Sequence, residues 1–284
     1  MAPACPAASR SGHFTATRTR LALRVHWKDA MRPLRFACLL VILISEMVLA
    51  QSNAASFAPV VTYGSGGGYA GLVAMADVNG DGKPDLLVAN ECAISTNCAP
   101  GSVGVLLGNG DGTFRPAVTY GTGGYDAESV AVADVNGDGK PDLIAANGCQ
   151  FSNCQGNGLV GVLLGNGDGT FQPAVTYGAG GYNPSSVVVA DVNGDGKPDL
   201  LVTNYCAPDN CDSGNVGVLL GNSDGTFQAA VTYGSGGVFT WPVAVADVNG
   251  GGRPDLVVAN AWTSSTDLFW TRENTGFRQS DLGC

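Results

Sequence analysis

Histidine and basic side chains are scarce over most of this 284-residue chain. Both histidines, His13 and His26, and seven of the 14 lysines and arginines lie within the first 50 residues. From residue 51 onward, 22 aspartates and glutamates stand against seven basic residues, and such an acidic chain repels a phosphate backbone. We therefore expect no nucleic-acid partner. That part of the chain also lacks the residues for a metal–histidine cluster, and it contains no Gly-x-Ser-x-Gly motif.

Long apolar segments are also missing. An apolar segment at 36–44 follows Met31-Arg-Pro-Leu-Arg and precedes Val48-Leu-Ala, which is the order of a secretory signal peptide. The segment is too short to span a bilayer. We predict a signal peptide at 31–50, after a leader at 1–30 that is either disordered or mis-assigned. The chain is then secreted or held at the cell surface by bacterial-type export, with no membrane span after signal removal.

A ten-residue segment recurs with a fixed period. Asp-Val-Asn-Gly-Asp-Gly-Lys-Pro-Asp-Leu starts at Asp77, Asp134 and Asp191, and a copy with Gly-Gly-Gly-Arg in its centre starts at Asp247. The starts are 57, 57 and 56 residues apart, which indicates an array of like supersecondary units. No segment repeats its apolar residues every 3.6 positions, so we predict an all-β fold.

The second repeat predicts four short strands, which we label A to D. Their positions are 129–134, 141–146, 160–164 and 171–177, and an Asn-Gly hairpin turn joins C to D. Four antiparallel strands per repeat, arranged around an axis, are typical of a β-propeller blade. We predict a β-propeller over residues 57–284, with four blades or as a fragment of a larger ring, in which a D strand at 57–63 completes the last blade.

The two recurring motifs, Asp-Val-Asn-Gly-Asp-Gly-Lys-Pro-Asp-Leu and Gly-Asn-Gly-Asp-Gly-Thr-Phe, resemble the VCBS and FG-GAP repeats of bacterial exported proteins. These are relatives of the integrin α-subunit propeller, and the resemblance covers residues 57 to about 277. The family usually closes with seven blades. Its Phe-Gly and Gly-Ala-Pro signatures are replaced here by Tyr-Gly and by Ala-Asn or Thr-Asn.

Each recurring segment places oxygen donors at positions 1, 3, 5 and 9 of a loop between strands A and B. The same spacing is found at the start of the calcium-binding loop of an EF-hand. The backbone carbonyl at position 7 can add a further oxygen ligand. Magnesium, which requires waters and strict octahedral geometry, fits less well. A turn that binds no metal is the alternative.

The resemblance implies that these loops bind Ca²⁺ in three sites. The ligands by position are Asp77, Asn79, Asp81, Lys83 and Asp85; Asp134, Asn136, Asp138, Lys140 and Asp142; and Asp191, Asn193, Asp195, Lys197 and Asp199. In the fourth loop Gly251 replaces the third ligand, so Asp247, Asn249 and Asp255 form a site that should bind weakly or not at all.

Six cysteines form three close pairs at equivalent places in successive repeats. In an exported chain this spacing favours disulfides over metal ligation. The predicted pairs are Cys92 with Cys98, Cys149 with Cys154, and Cys206 with Cys211.

Strand direction places the B–C and D–A loops at one end of the predicted blades, opposite the calcium loops. Exposed aromatic residues on rigid loops are good platforms for sugars or protein partners, although the same rings could instead cap the core between blades. The predicted ligand face comprises Tyr69, Tyr125, Tyr182, Tyr205, Phe239, Trp241 and Trp262.

Three functions follow from these patterns. The first is a non-catalytic module that binds cell-surface glycans or extracellular proteins in adhesion, and the second is the propeller domain of a polysaccharide-degrading enzyme. The third is a structural repeat segment without a ligand. We favour the first, because acidic residues outside the loops, such as Glu91, Asp126 and Glu128, form no catalytic pair that the sequence can place.

Overall fold

The computed structural model describes residues 58–93, 100–150, 156–208, 211, 213–262 and 270–271, and these residues form strands, turns and bends without a helix. Accordingly, none of them lies in a helix that could cross a bilayer. The predicted leader and signal peptide lie outside the described residues.

The strands are β1 (Gly68–Ala76), β2 (Asp85–Cys92), β3 (Ser102–Leu106), β4 (Val118–Gly121), β5 (Tyr125–Ala133), β6 (Asp142–Cys149), β7 (Leu159–Leu163), β8 (Val175–Gly178), β9 (Tyr182–Ala190), β10 (Asp199–Cys206), β11 (Asn215–Leu219), β12 (Val231–Gly234), β13 (Val238–Ala246), β14 (Asp255–Trp262) and β15 (Trp270–Thr271).

Consecutive strands pair into four separate antiparallel sheets. The orders are β1-β2-β3-β4, β5-β6-β7-β8 and β9-β10-β11-β12, followed by β13-β14-β15. We call these sheets blades 1 to 4, and they confirm the predicted all-β fold with strands in the order A to D. The inner strand is longer than predicted, because β5 begins at Tyr125 rather than at 129. The outer strand is shorter, and Phe171 contributes only an isolated bridge to Gly165.

The core lies between consecutive blades rather than within one sheet. The inner strand of each blade contacts the inner strand of the next, β1 with β5, β5 with β9 and β9 with β13. Three apolar clusters fill the three junctions, and at the second of them Ile144 and Leu200 are fully buried. Full burial of such a side chain contributes about 1.5–3 kcal/mol. Blade-to-blade packing therefore contributes to the stability of the fold.

A buried asparagine recurs in the second strand of every blade. Asn147 donates from Nδ2 to the Thr122 carbonyl oxygen at 3.4 Å, and Asn204 donates likewise to the Ala179 carbonyl oxygen at 3.1 Å. These amides tie each second strand to the loop that enters its blade. Because a buried carbonyl without a donor costs free energy, the asparagine has a structural role in this fold.

A glycine in the third strand allows that loop to lie close against the sheet. A Cβ at Gly161 would collide with the carbonyl oxygen of Thr122, and the equivalent glycines of blades 1 and 3 meet Ser65 and Ala179 in the same way. The recurring Val-Gly-Val segment therefore reflects close backbone approach.

The predicted closing strand at 57–63 is wrong over its described part, since residues 58–65 form no strand. Tyr63 nevertheless packs edge to face on Phe114, with centroids 5.4 Å apart, as Tyr120 of β4 packs on Phe171. Within the part of blade 4 that the structure describes, β15 alone pairs with β14 at the outer side. The strand pairs and contacts of the described residues do not close a ring.

Candidate metal loops and binding face

The first three acidic loops, residues 77–85, 134–142 and 191–199, fold around their first aspartate. In the first loop Asp77 Oδ1 accepts the Gly80 N–H at 2.8 Å and Asp77 Oδ2 accepts the Gly82 N–H at 2.7 Å. These bonds, of which that from Gly82 is the strongest, lower the pKa of Asp77. Both glycines have positive φ, 73° and 78°, which lets the chain turn so tightly. Loops two and three repeat the arrangement around Asp134 and Asp191.

The ninth position of each loop is a buried carboxylate that joins two turns. Asp85 Oδ2 accepts the Val78 N–H at 2.9 Å and Asp85 Oδ1 accepts the Gly108 N–H at 2.7 Å, so the acidic loop and the C–D turn lie at one end of the blade. Asp142 and Asp199 make the same bonds. Burial raises the pKa of both carboxyls, and the hydrogen bonds oppose that rise.

The lysine at position 7 contacts the aspartate at position 5. Lys83 Nζ lies 3.4 Å from Asp81 Oδ2, and the pairs Lys140–Asp138 and Lys197–Asp195 are both 3.6 Å. Because these pairs are exposed, each contributes little to stability. They reduce the negative charge of each loop without removing an oxygen donor.

The donor set of these loops fits a hard divalent cation. Asp77, Asn79 and Asp81 offer side-chain oxygens from one tight loop, and all donors are oxygen, as Ca²⁺ prefers. Within the described residues, the three aspartates of a loop do not bring one oxygen each within 4.8 Å of the others. The fit therefore rests on the chemistry of the donors and not on the distances between the carboxylates.

In the fourth acidic loop, residues 247–255, the carboxylate of Asp255 accepts hydrogen bonds from within the loop. Asn249 donates from Nδ2 to both oxygens of Asp255 at 2.9 Å, and its Oδ1 accepts the Gly251 N–H at 2.6 Å. An amide N–H₂ group thus faces the carboxylate of Asp255. That the fourth loop binds metal weakly or not at all stays a prediction.

The C–D turns use their aspartates within the hairpin. Asp168 Oδ1 accepts the Thr170 N–H at 2.9 Å and also the Thr170 hydroxyl, and these bonds lower the pKa of Asp168. Asp111 and Asp224 bond Thr113 and Thr226 in the same way. These contacts match hairpin turns of the predicted kind.

The opposite end of the blades, which we call the variable face, carries the starts of the inner strands and the ends of the second strands. The second residue of each inner strand has positive φ, and a β-bulge follows it within the same strand. The positive-φ residues are Tyr69, Asp126, Asn183 and Phe239, with φ from 48° to 61°. Bulges re-aim side chains and are frequent next to functional sites. The same backbone conformation thus presents a different side chain in each of the four blades.

Three acidic side chains meet where blade 1 contacts blade 2. Glu91 is the last residue but one of β2, and Asp126 and Glu128 lie in the first four residues of β5. One carboxylate oxygen of each lies within 4.8 Å of the others. We call them the carboxylate cluster. Burial, followed by the charges of Asp126 and Glu91, raises the pKa of Glu128 to about 7. Burial also raises the pKa of Glu91, where Asp126 adds to the effect, and that of Asp126.

Sequence reasoning missed this cluster. The cluster could have been found by comparing equivalent positions of the repeats. Glu91 is equivalent to Tyr205, and Asp126 and Glu128 are equivalent to Phe239 and Trp241. At the junction of blades 3 and 4 those three rings form an aromatic cluster, with Tyr205 centroids 6.2 Å from Phe239 and 5.7 Å from Trp241. Burial, then the charges of Glu128 and Asp126, raises the pKa of Tyr205.

The other predicted face residues are distributed unevenly. Tyr69 is 69% exposed, Phe239 44% and Trp241 48%. Tyr125, Tyr182 and Tyr205 are half-buried, and the side chain of Trp262 lies outside the described residues. The exposed rings are thus concentrated in blades 1 and 4.

One of the predicted disulfides is present among the described residues. Cys206 at the end of β10 is bonded to Cys211 in the loop that follows. Cys92 and Cys149 end β2 and β6 at the equivalent position. Their predicted partners, Cys98 and Cys154, lie outside the described residues.

Comparison with known proteins agrees with this architecture. Integrin alpha pat-2 of Caenorhabditis briggsae is 32% identical over 170 residues, and that of Caenorhabditis elegans is 30% identical over the same length. Each match covers 50% of this chain and 14% of the integrin. The chain thus spans a small part of the length of these relatives.

Solved structures match more weakly. A mutant of the NanB sialidase from Streptococcus pneumoniae has a TM-score of 0.43 and 12% identity, covering 67% of this chain and 28% of that one. The biofilm matrix protein Bap1 of V. cholerae has a TM-score of 0.36 and 19% identity, covering 72% and 37%.

Family models match the repeats directly. The FG-GAP-like repeat matches residues 90–145, 151–202 and 205–258, and the FG-GAP repeat matches residues 69–93. The matched residues span strands of all four blades and amount to more than half of the sequence. On this coverage, the chain with its acidic loops and four blades belongs to the FG-GAP repeat family.

Proposed function

We propose that this chain is a secreted, calcium-stabilised module that binds a cell-surface glycan or an extracellular protein in adhesion and catalyses no reaction. The observation that carries the proposal is the contrast between the two ends of the blades. At one end three loops are nearly identical in sequence and hydrogen bonding, and at the other end the positive-φ position that starts each inner strand carries a different side chain in each blade. A constant frame with variable exposed side chains is the usual design of a recognition surface.

Calcium has a structural role in this proposal. Asp77, Asn79, Asp81 and Asp85, with the carbonyl of Lys83, would hold the first ion, and the equivalent residues of loops two and three would hold two more. The bound ion supplies positive charge that screens the repulsion between loop aspartates. Since it binds the folded state, it stabilises the blades in proportion to the logarithm of free calcium over its Kd.

The calcium part is tested by thermal unfolding with calcium and then with chelator. Calcium at about 100 times Kd should add about 2.7 kcal/mol per site. The triple variant D81N/D138N/D195N should lose most of this gain. The matched variant D111N/D168N/D224N, which removes the same charge from the C–D turns, should keep it. An equal response of both variants to calcium contradicts the assignment of the loops.

The binding part is tested on arrays of glycans and of immobilised extracellular-matrix proteins, with calcium present. Wild type should bind at least one member, and Trp241→Ala should weaken that binding because the indole is exposed on the variable face. Val118→Ala, in an outer strand where Val118 is 57% exposed, is the control. Absence of any bound member from a folded, calcium-responsive protein contradicts the binding role and leaves a structural one.

One observation favours polysaccharide cleavage as a second candidate function. The carboxylate cluster combines close acidic groups with a Glu128 pKa of about 7, and a carboxyl of raised pKa beside an ionised one can act as general acid. Release of reducing sugar from plant or microbial polysaccharides, abolished in Glu128→Gln, would establish this candidate. Its absence with a bound array ligand favours the binding module.

A further inference from the structure

Inner strands present one set of side chains to the preceding blade and another to the following blade. In β5, Val130 and Val132 pack into the junction with blade 1, whereas Ala131 and Ala133 pack into the junction with blade 3. The valine after the first loop aspartate, Val135, also joins the second junction. Each blade therefore has a leading face and a trailing face, and the leading face of one fits the trailing face of the one before.

Equivalent residues build all three junctions. The trailing residues are Ala74, Ala76 and Val78 in blade 1, Ala131, Ala133 and Val135 in blade 2, and Val188, Ala190 and Val192 in blade 3. The leading residues that meet them are Val130 and Val132, Val187 and Val189, and Val243 and Val245. Complementarity between the two faces is thus a property of the repeat.

Blade 1 exposes its leading face. Val73 and Met75, which stand where Val130 and Val132 stand in blade 2, are 55% and 65% exposed, whereas Val130 is 3% exposed. Leu72 beside them is 41% exposed. Three neighbouring large apolar side chains on one strand form an exposed patch that elsewhere in this fold is covered by a blade.

Blade 4 exposes its trailing face. Val248 is 47% exposed, while its equivalents Val78, Val135 and Val192 are at most 4% exposed. Ala244 and Ala246 are exposed as well. Among the described residues, β13 does not reach β1 with the contacts that join consecutive inner strands.

We propose that the trailing face of blade 4 docks on the leading face of blade 1 of a second copy of this chain. Ala244, Ala246 and Val248 then meet Val73 and Met75, in continuity with the three junctions inside the chain. A contact between different faces closes into a ring when its rotation permits and otherwise extends into a chain of copies.

Analytical ultracentrifugation over a concentration series tests the proposed association. It uses the full-length secreted chain in saturating calcium. Particles of two or more chains are expected, and the double variant V73D/M75K should sediment as a monomer because it places charges in the contact. Val118→Asp is the matched control, since Val118 is equally exposed but lies in β4. It should associate like wild type.

The complementary variant Val248→Asp tests the other face and should also give monomers. An equimolar mixture of V73D/M75K with V248D should form dimers through the one intact pair of faces, which separates a docking defect from misfolding. A monomeric wild type at about 100 μM, or association that survives both variants, overturns the proposal. Calcium stabilisation and array binding test the proposed function separately, because a monomer can retain both.

Discussion

Replacing Glu128 with glutamine should change the pH dependence of folding stability. The Glu128 side chain is half-buried against Glu91 and Asp126, and its pKa is raised from 4.5 to about 7, first by burial and then by those two charges. A carboxyl whose pKa is raised on folding binds its proton more tightly in the folded state. Its stabilising contribution is complete below pH 4.5 and is lost as pH rises through 7.

The size of the effect follows from the two pKa values. Their difference corresponds to at most about 3 kcal/mol, at about 1.4 kcal/mol per pH unit. Solvent screening at a half-buried site reduces this to about 1–2 kcal/mol. Wild type should therefore lose about 1–2 kcal/mol of its free energy of unfolding between pH 5 and pH 8, and Glu128→Gln should not. The variant should match wild type at pH 5 and exceed it at pH 8.

Urea unfolding in saturating calcium, repeated across this pH range, measures the difference. Asp168→Asn is the matched control, because it removes one charge from a carboxyl whose pKa is lowered by hydrogen bonds from Thr170. That control should lose stability at pH 8 rather than gain it. Parallel pH profiles for wild type and Glu128→Gln would refute the inferred environment of the carboxylate cluster.

Three further predictions concern the repeat itself. Asn147→Ala should cost about 1–3 kcal/mol in urea unfolding, because it leaves the Thr122 carbonyl without its amide donor. Gly161→Ala should cost about 1–3 kcal/mol, whereas Gly178→Ala, whose Cβ meets nothing within 4 Å, should not destabilise. Gly251→Asp should add one calcium per chain by titration calorimetry, since Gly251, unlike its neighbours, has no positive φ; unchanged stoichiometry would contradict this.

Local patterns account for what the sequence could predict. Strands such as β6 and β7 lie within a few residues of the predicted positions, because each is a short apolar run between turn residues. The acidic loops and hairpin turns form by contacts within nine residues. Chain direction alone placed the loops at two ends of a blade, and the bond from Gly108 to Asp85 agrees with that placement.

Features that depend on the next blade were harder to predict. Glu91 and Asp126 are far apart in sequence, and they meet where β5 begins at Tyr125, earlier than its apolar run suggests, with Asp126 at positive φ. The role of Asn147 depends on a carbonyl 25 residues before it. In both cases the feature is recognised by comparing the residues at equivalent positions of the four repeats. The local sequence pattern does not reveal it.

The backbone of the repeat serves two purposes, one at the loop end of the blades and one at the variable face. At the loop end, charged groups contact other groups of the same repeat, such as Lys83 with Asp81, and three of the four loops have the same sequence. On the variable face, the second position of each inner strand keeps the same backbone conformation whatever its side chain, since tyrosine, aspartate, asparagine and phenylalanine all adopt positive φ there. Each junction can thus carry a carboxylate cluster or an aromatic cluster without altering the packing beneath it. Recognition can then change by substitution at these positions alone while the blades and their calcium loops stay intact.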